Sequence, residues 1–233
     1  MEIVFIISSP AREENVGAAA RAIKTMGING LRLVNPLCNH LGERARATAH
    51  GAADILERAV VFDSLEKARE DIPFLAGTAA KKRNIREDRH PLEILPGILL
   101  SKSGMLEKAG VVFGGEESGL SNREIDTCDI LTTIPMAGRY PSLNLAQAVM
   151  LYAYTLSEIS LGLKQKQQRK ASLPELKVVK GKALQLLDDV GLPGDHIIHR
   201  RIMERLMMLD REDMHLFHSF CKFYLKKYHG RVK

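Results

Sequence analysis

The chain has 233 residues, 45% of them hydrophobic, so it is long enough to fold as one domain with a small appendage and without disulfide or metal staples. Its three cysteines form no CxxC pair, no basic leader opens the sequence, and no apolar run approaches the roughly 18 residues of a membrane span, so we expect a soluble, cytoplasmic protein. The net charge of +6 favours a polyanionic partner such as nucleic acid.

Short apolar runs alternate with helical patterns along the first 160 residues, which predicts an α/β sheet. We expect six strands, near residues 3–7, 31–36, 60–62, 73–77, 111–116 and 130–135. Between the first two, Asn15 is expected to cap a helix that ends at Gly27, and SNRE at 121–124 has the pattern of a capping box. Ser142 is expected to cap the last helix of this block, which leaves Asn144 inside the first turn without a helical role.

The character of the sequence changes after Gly162. The stretch KQKQQRKASLPE is basic and glutamine-rich, which is typical of a solvated linker. From there to the end, two or three helical patterns are broken by GLPGD and by Asp210, with no strand signal. The predicted organisation is a sheet domain at 1–163, a basic linker at 164–174 and a helical extension at 175–233.

Open α/β sheets bind ligands beyond the carboxyl ends of their strands, where four loops of this chain are expected. They are SSPAREENVG, GTAAKKRN, FGGEESG and PMAGRYPSLN, and none contains a GxGxxG or P-loop pattern. Arg21 interrupts the small-residue run AAARA. A surface arginine is usually a solvated charge, but one embedded among small residues is either buried with a partner or aimed into a cleft. The amide of Asn144 is likewise available to a ligand.

Three stretches together resemble one protein family: NVGAAARAIKTMGINGLRLVNP, VFGGEESGLSNREI and YPSLNLAQAV. They are similar, in order and spacing, to the signature motifs of the SPOUT class of RNA methyltransferases, in its SpoU/TrmH branch, and most similar to TrmJ-like enzymes. This resemblance implies a parallel sheet with helices on both faces, a C-terminal trefoil knot, S-adenosylmethionine as cofactor and a homodimer. The activity that it implies is methylation of a ribose 2′-hydroxyl of a cytidine or uridine in the tRNA anticodon loop.

The resemblance also implies which residues form the site. The expected catalytic residues are Arg21, Asn15, Glu116, Tyr140, Ser142 and Asn144. The expected cofactor-binding residues are Gly77, Thr78, Gly114, Gly115, Glu116, Ile134, Met136, Ser142, Leu143 and Asn144. Arg21 is the key residue of this set, as a base or, because a guanidinium stays charged near neutral pH, as a cation that stabilises the developing alkoxide.

Two basic clusters are candidates for RNA phosphate contacts. The cluster beside the expected site contains Lys81, Lys82, Arg83 and Arg86, and the cluster in the linker contains Lys164, Lys166, Arg169 and Lys170. Without the resemblance, a solvated surface is the better explanation of both clusters; with it, phosphate contact is the better interpretation of the first cluster.

Other classes of function stay open at this point. Within the same family, the alternatives are an rRNA 2′-O-methyltransferase and a catalytically inactive RNA-binding relative; outside it, a small-molecule α/β enzyme is the alternative. The pairs His196/His199 and His215/His218 have helical spacing but lack the acidic or cysteine partners of a metal site, so we expect no metal. The neighbours Glu116 and Glu117 do not suit a two-carboxylate hydrolase, because consecutive side chains rarely point at one reacting bond.

Overall fold

The structure is a computed structural model that describes residues 1–79, 88–138, 143–161, 173–209 and 211–228. Within these ranges seven strands form one sheet, and all neighbouring strands are parallel. The strands are β1 (Glu2–Ser8), β2 (Gly30–Val34), β3 (Val60–Phe62), β4 (Leu75–Thr78), β5 (Arg89–Pro91), β6 (Lys108–Phe113) and β7 (Ile130–Thr133). Their order across the sheet is β3-β2-β1-β6-β4-β7-β5.

Ten α-helices and one 3₁₀ turn, Leu92–Ile94, accompany the sheet in the described part of the chain. The helices are α1 (Glu13–Thr25), α2 (Glu43–Ala49), α3 (Ala53–Glu57), α4 (Leu65–Ala68), α5 (Leu95–Ser101), α6 (Asn122–Thr127), α7 (Leu145–Ser160), α8 (Leu173–Asp189), α9 (Ile197–Met208) and α10 (Arg211–Tyr228).

The centre of the sheet explains the continuous apolar runs in the sequence. β1 lies between β2 and β6, and all its residues after Glu2 are buried. A parallel strand covered on both faces needs no alternation of apolar and polar side chains, which is why residues 3–7 are uniformly apolar. The predicted parallel α/β fold is therefore confirmed, and the knot stays a prediction.

The expected number of strands is wrong by one. The additional strand is β5, three residues long, which pairs with β7 and lies at the edge of the sheet that the described residues form. Its sequence, Arg-His-Pro, has no apolar pattern, and a proline is tolerated there because an edge strand needs only one partner.

Helix α1 begins earlier than expected. Arg12 is its N-cap, without a side-chain capping bond, so Asn15 lies in the first turn, where it is buried instead of capping the helix. The predicted end is confirmed, since Gly27 has a left-handed φ of 71°. The buried alanines of α1, including Ala19 and Ala22, lie on a helix that packs against α2 and α7 of the same chain.

Aromatic contacts fix α7 against the sheet. The ring of Phe113, the last residue of β6, lies 5.3 Å from that of Phe5 and 5.2 Å from that of Tyr152. The hydroxyl of Tyr152 is 2.8 Å from Oγ1 of Thr132 in β7. Burial raises the pKa of Tyr152, so the neutral phenol is retained and can share this hydrogen bond. These contacts connect α7 to β1, β6 and β7.

The contacts divide the chain into two compact units, Met1–Pro96 with Glu107–Lys166, and Gly97–Leu106 with Gln167–Lys233. The second unit buries apolar side chains from α8, α9 and α10: Leu176, Val179, Ala183, Leu187, Leu206, Met207, Met214 and Cys221. Residues 97–106, which were expected to belong to the sheet domain, group with this unit. Within it, the fully buried Lys102 donates from Nζ to the carbonyl of Leu209 at 3.0 Å.

None of the helices in the described ranges combines the length and the apolar character that a membrane span requires.

Candidate active site

Three segments that are far apart in the sequence meet beyond the carboxyl ends of β1 and β6. Glu116, in the loop after β6, accepts a hydrogen bond from the backbone N–H of Ala11 at 2.9 Å and another from Nδ2 of Asn15 at 2.8 Å. Asn144 donates from Nδ2 to Oδ1 of Asn15 at 2.9 Å. A chain of side-chain hydrogen bonds thus runs from Glu116 through Asn15 to Asn144, and it connects the three sequence motifs.

The chemistry of these groups determines the direction of every bond in the chain. An ionised carboxylate only accepts, so Asn15 must direct its NH₂ group at Glu116 and its oxygen at Asn144. Asn144 must then donate, and its own oxygen accepts from the N–H of Ala146 at 2.8 Å. Both amides are therefore held in one orientation, because reversing either one would place two acceptors or two donors against each other.

Glu116 is the charged end of this chain. Partial burial disfavours its charge, but hydrogen bonds from the N–H of Ala11, the amide of Asn15 and the backbone of Glu116 and Arg12 together outweigh burial, so the pKa of this carboxyl is lower than usual. Both carboxylate oxygens already accept hydrogen bonds. An ionised group with occupied oxygens is poorly suited to remove a proton from a substrate and well suited to hold Asn15.

Asn144, and not Ser142, is the N-cap of α7, which corrects the expectation from the sequence. Its side chain accepts from Ala146, and Oε1 of Gln147 accepts from its backbone N–H at 3.1 Å, which completes a capping box. Asn144 therefore does two things at once. Its oxygen begins the helix, and its NH₂ group contacts Asn15.

A pocket lies beside this hydrogen-bond chain, at the ends of β4 and β6 and the start of α7. Thr78, Gly114, Gly115, Glu116 and Leu143, all expected cofactor-binding residues, line it. The other residues of its lining were not predicted: Ala79, Phe113, Glu117, Ser118, Gly119, Leu120, Ile125, Leu145 and Ala148. Several of these are apolar residues that end a strand or begin a helix, a position that could have indicated them.

The glycines of the loop after β6 are required because other backbone segments, from the same loop and from the end of β1, approach them closely. A Cβ on Gly114 would lie 2.0 Å from the carbonyl carbon of Gly119, and one on Gly115 would lie 2.6 Å from the carbonyl oxygen of Ser9. Gly119 itself has a left-handed φ of 64°. The loop therefore folds back tightly, and its backbone forms one wall of the pocket.

Other expected cofactor-binding residues do not line this pocket. Gly77 is buried within β4, where an added Cβ would lie 2.7 Å from Sγ of Cys128 and 2.8 Å from Cδ2 of Leu131. Packing therefore accounts for this glycine. Ile134 and Met136 follow β7 and are partly exposed.

Arg21 is exposed on α1 and is not part of the hydrogen-bond chain. The carboxylate of Glu116 is held by Ala11 and Asn15 and does not pair with the Arg21 guanidinium. Arg21 lies six positions after Asn15, which corresponds to about 9 Å along a helix and to a different face. Among the residues that the structure describes, none forms a hydrogen bond or ion pair with the Arg21 guanidinium.

Some of the expected site residues lie outside the described ranges. These are Tyr140 and Ser142 of the expected catalytic set, Lys81, Lys82, Arg83 and Arg86 of the first basic cluster, and Lys164, Lys166, Arg169 and Lys170 of the second.

Several of the paired histidines have local structural contacts. His196 is the N-cap of α9, and its Nδ1 accepts from the N–H of Ile198 at 3.2 Å. Nδ1 of His199 lies 2.7 Å from the carbonyl of Leu192, and Nε2 of His218 lies 2.8 Å from Nζ of Lys182. Across the described ranges, no group of three or more His, Cys, Asp or Glu residues could hold a metal ion.

The lining of the pocket suits S-adenosylmethionine, the cofactor that the motifs imply. Phe113, Leu120, Leu143 and Leu145 can cover an adenine ring, and the backbone of the 114–119 loop offers hydrogen-bonding groups at close range. The carboxylates of Glu116 and Glu117 suit a cationic ligand that carries a sulfonium and an amino group.

Comparison with protein families identifies both parts of the chain. Residues 2–154 match the SpoU rRNA Methylase family, and residues 174–228 match the C-terminal domain of the tRNA/rRNA methyltransferase LasT. The chain belongs to the SpoU rRNA methylase family. This confirms the resemblance drawn from the three motifs.

Known proteins are similar over most of the chain. LasT of Escherichia coli (strain K12), named an uncharacterized tRNA/rRNA methyltransferase, is 38% identical over 94% of this chain and 95% of its own length. The tRNA (cytidine/uridine-2'-O-)-methyltransferase TrmJ of Pectobacterium atrosepticum is 37% identical over 65% of this chain and 62% of its own length. The solved structure of a probable methylase family protein from Haemophilus influenzae has a TM-score of 0.71 at 27% identity, covering 97% of this chain and 96% of that one.

Proposed function

We propose that this SpoU family member transfers a methyl group from S-adenosylmethionine to a ribose 2′-hydroxyl of RNA, with the tRNA anticodon loop as its target. The observation that carries the proposal is the hydrogen-bond chain Glu116–Asn15–Asn144, which joins all three family motifs beside one pocket. The choice of tRNA and of a cytidine or uridine follows the TrmJ relative, whose name states that activity.

The bound cofactor would lie in the pocket lined by the 114–119 loop and the start of α7. When bound, S-adenosylmethionine supplies an electrophilic methyl group attached to a sulfonium. The protein would contribute by holding the ribose oxygen next to that methyl group in a near-attack orientation. The amides of Asn15 and Asn144 are connected by hydrogen bonds to Glu116, which lines the pocket, so they would fix the loops around the ribose.

The reacting hydroxyl must lose its proton as the new oxygen–carbon bond forms. Glu116 is a weak candidate for the base, because its pKa is lowered and both its oxygens are engaged. We assign the stabilisation of the developing negative charge to Arg21. Its charged guanidinium would lower the pKa of the 2′-hydroxyl and bind the adjacent phosphate, and the proton would pass to water. Exposure on α1 leaves this side chain accessible to RNA.

The proposal includes a cytoplasmic homodimer that binds RNA without a metal. Support for a dimer comes from α7, which exposes Leu151, Tyr154 and the neighbouring Leu161; Tyr154 is 66% accessible although it lies on a helix that packs against α1. We keep the predicted catalytic residues Tyr140 and Ser142 as parts of the proposal, because both lie within the third motif. We also keep the basic clusters at 81–86 and 164–170, which flank the second and third motifs in the sequence.

Mapping of 2′-O-methylated nucleotides tests the proposed function. RNA from cells with and without this protein should differ by a ribose methylation in the anticodon loop of one or more tRNAs. A difference confined to rRNA would instead indicate the alternative within the family, an rRNA 2′-O-methyltransferase. An unchanged methylation map, together with binding of S-adenosylmethionine by the purified protein, would contradict RNA methylation.

A further inference from the structure

Helix α10 exposes an apolar stripe that its own packing does not need. Leu216 is 69% accessible, Phe220 57% and Phe223 75%. These residues are spaced by four and three positions, so they lie on one side of the helix. The opposite side carries Met214 and Cys221, which are buried in the helical unit. The helix therefore packs through one face and presents a second apolar face outward.

This helix is unusually rich in aromatic residues. The whole chain contains seven phenylalanines and five tyrosines, and three of the phenylalanines and two of the tyrosines are in α10. The Tyr224 and Tyr228 rings stack at 4.7 Å, and Nζ of Lys227 lies 5.3 Å from the centre of the Tyr228 ring. Exposure of large rings is costly in water, so such a cluster marks a binding surface.

Lysines flank the stripe. Lys222, Lys226 and Lys227 are all exposed, and no carboxylate in the described ranges pairs with any of them. The acidic residues of α10, Glu212 and Asp213, are both in its first turn, more than two turns before Lys222. The aromatic half of this face is thus positively charged, which is complementary to a polyanion.

We infer that the face of α10 formed by Leu216, Phe220, Phe223, Lys222, Lys226 and Lys227 binds single-stranded RNA. Aromatic side chains stack on unpaired bases of any sequence, while lysines contact the phosphates between them. From Leu216 to Lys227 the helix rises about 16 Å, enough for two or three nucleotides. The inference rests on the proposed function, since RNA is the substrate there, and it names a surface that lies outside the methyl-transfer site.

Two other partners fit these observations less well. A helix that lies in a membrane interface needs a broad apolar face, whereas this stripe has three apolar residues with Ser219 among them. Protein interfaces are depleted in lysine, which is abundant here. Single-stranded RNA accounts for both features, because its bases stack on the exposed rings and its phosphates contact the lysines.

Fluorescence anisotropy of the full chain with a ten-nucleotide single-stranded RNA and with a blunt RNA duplex tests the surface. Phe220→Ala/Phe223→Ala should weaken binding of the single strand at least about tenfold and leave duplex binding within about twofold. Lys222→Ala/Lys226→Ala/Lys227→Ala should reduce the slope of log affinity against log salt by about 2, since each phosphate contributes about 0.7. Val178→Ala/Leu184→Ala on α8, which also removes two exposed apolar side chains, should change neither quantity.

Unchanged affinity of the Phe220/Phe223 variant for the single strand would overturn the inference. Two other results would overturn it if they came without any change in RNA binding. A changed mass of this variant in solution scattering would mean that a second copy occupies this face, and a loss of binding to phosphatidylserine vesicles would mean that a membrane does.

The test is independent of the methyl-transfer site. If the wild-type protein binds the single strand through α10 but transfers no methyl group, the inference about α10 is supported and the proposed function is wrong. If methyl transfer is normal and the α10 variants bind RNA as wild type does, the proposed function stands and the surface fails.

Discussion

Glu116 is the residue on which the hydrogen-bond chain of the site depends. Glu116→Gln replaces a group that only accepts with an amide that must direct an NH₂ at Ala11 or at Asn15, both of which donate to it. We expect methyl transfer to fall by about 100-fold, as for other small misplacements at a reacting centre. Steady-state kinetics would measure this, with Glu70→Gln, an exposed glutamate, as the control for loss of one charge.

The same residue predicts a dependence on pH. Because the pKa of Glu116 is lowered in the folded protein, its contribution to the site is present above the usual glutamate pKa of about 4.3 and is lost as the pH falls through the lower folded value. Near neutral pH the wild-type rate should therefore show no titration from this group. A Glu116→Gln enzyme with wild-type kinetics would contradict its role in holding Asn15.

Asn144 allows its two roles to be separated. Asn144→Ser keeps an oxygen that can cap α7 but has no NH₂ group for Asn15, so the contribution of the helix cap to stability should be retained while methyl transfer falls. Asn144→Ala removes both and should also lower the free energy of unfolding by about 0.5–2 kcal/mol. Urea unfolding together with single-turnover rates distinguishes them. Full activity of the serine variant would show that the contact with Asn15 is dispensable.

Arg21 separates binding from catalysis. Arg21→Ala removes an exposed charge without touching the residues that line the pocket, so S-adenosylmethionine should still bind while methyl transfer nearly vanishes. Arg21→Lys keeps the charge but loses the planar fork, and should fail almost as badly if the role is bidentate positioning. Single-turnover rates with saturating tRNA would measure both. An alanine variant with a near wild-type rate would remove Arg21 from the mechanism.

The sequence contains part of this residue-level detail. Asn144 and Gln147 have the spacing of a capping box, so the start of α7 could have been found from that pair instead of from Ser142. The partnership of Asn15, Glu116 and Asn144 could not be found this way, because it depends on the sheet placing the ends of β1 and β6 side by side. Nor does a single sequence tell that Glu116 pairs with Asn15 and not with Arg21.

At the scale of elements, the loop after β6 is the most constrained part of the site. Gly114→Ala would place a Cβ 2.0 Å from the backbone of Gly119, so the turn must open and the wall of the pocket must move. We expect lower stability in urea and loss of binding of S-adenosylmethionine in calorimetry. Gly181→Ala is the matched control: nothing lies within 4 Å of the added Cβ in α8, and it should raise stability by about 0.5–1 kcal/mol. If the Gly114→Ala variant still bound S-adenosylmethionine, the cofactor would have to bind outside the pocket that this loop lines.

The elements that could be predicted are those with a strong local pattern. The apolar run of β1, the capping box of Ser121 and Glu124 and the glycine at the end of α1 are all found as expected. A local pattern does not predict β5, because its pairing with β7 comes from the sheet and not from its own residues. A local pattern also does not predict that residues 97–106 group with the helical unit, because contacts such as the hydrogen bond from Lys102 to Leu209 join residues far apart in the sequence.

For the whole molecule, one unit carries the three joined motifs of the SpoU methylase family, and the other contains the helices that match the C-terminal domain of LasT. Sequence order could indicate both parts, because the motifs are specific and the change after Gly162 is abrupt. The exposed aromatic face of α10 could not be foreseen, because the same residues would be equally consistent with a buried helix.

Methyl transfer from labelled S-adenosylmethionine to a purified tRNA transcript is the measurement that tests the central claim most directly. A matched transcript with a 2′-deoxy sugar at the modified nucleotide serves as the comparison. We predict that label enters the ribose-containing transcript, is recovered as a 2′-O-methylated cytidine or uridine of the anticodon loop, and is absent from the deoxy transcript. Equal labelling of both transcripts, or label recovered on a base, would contradict a ribose 2′-O-methyltransferase.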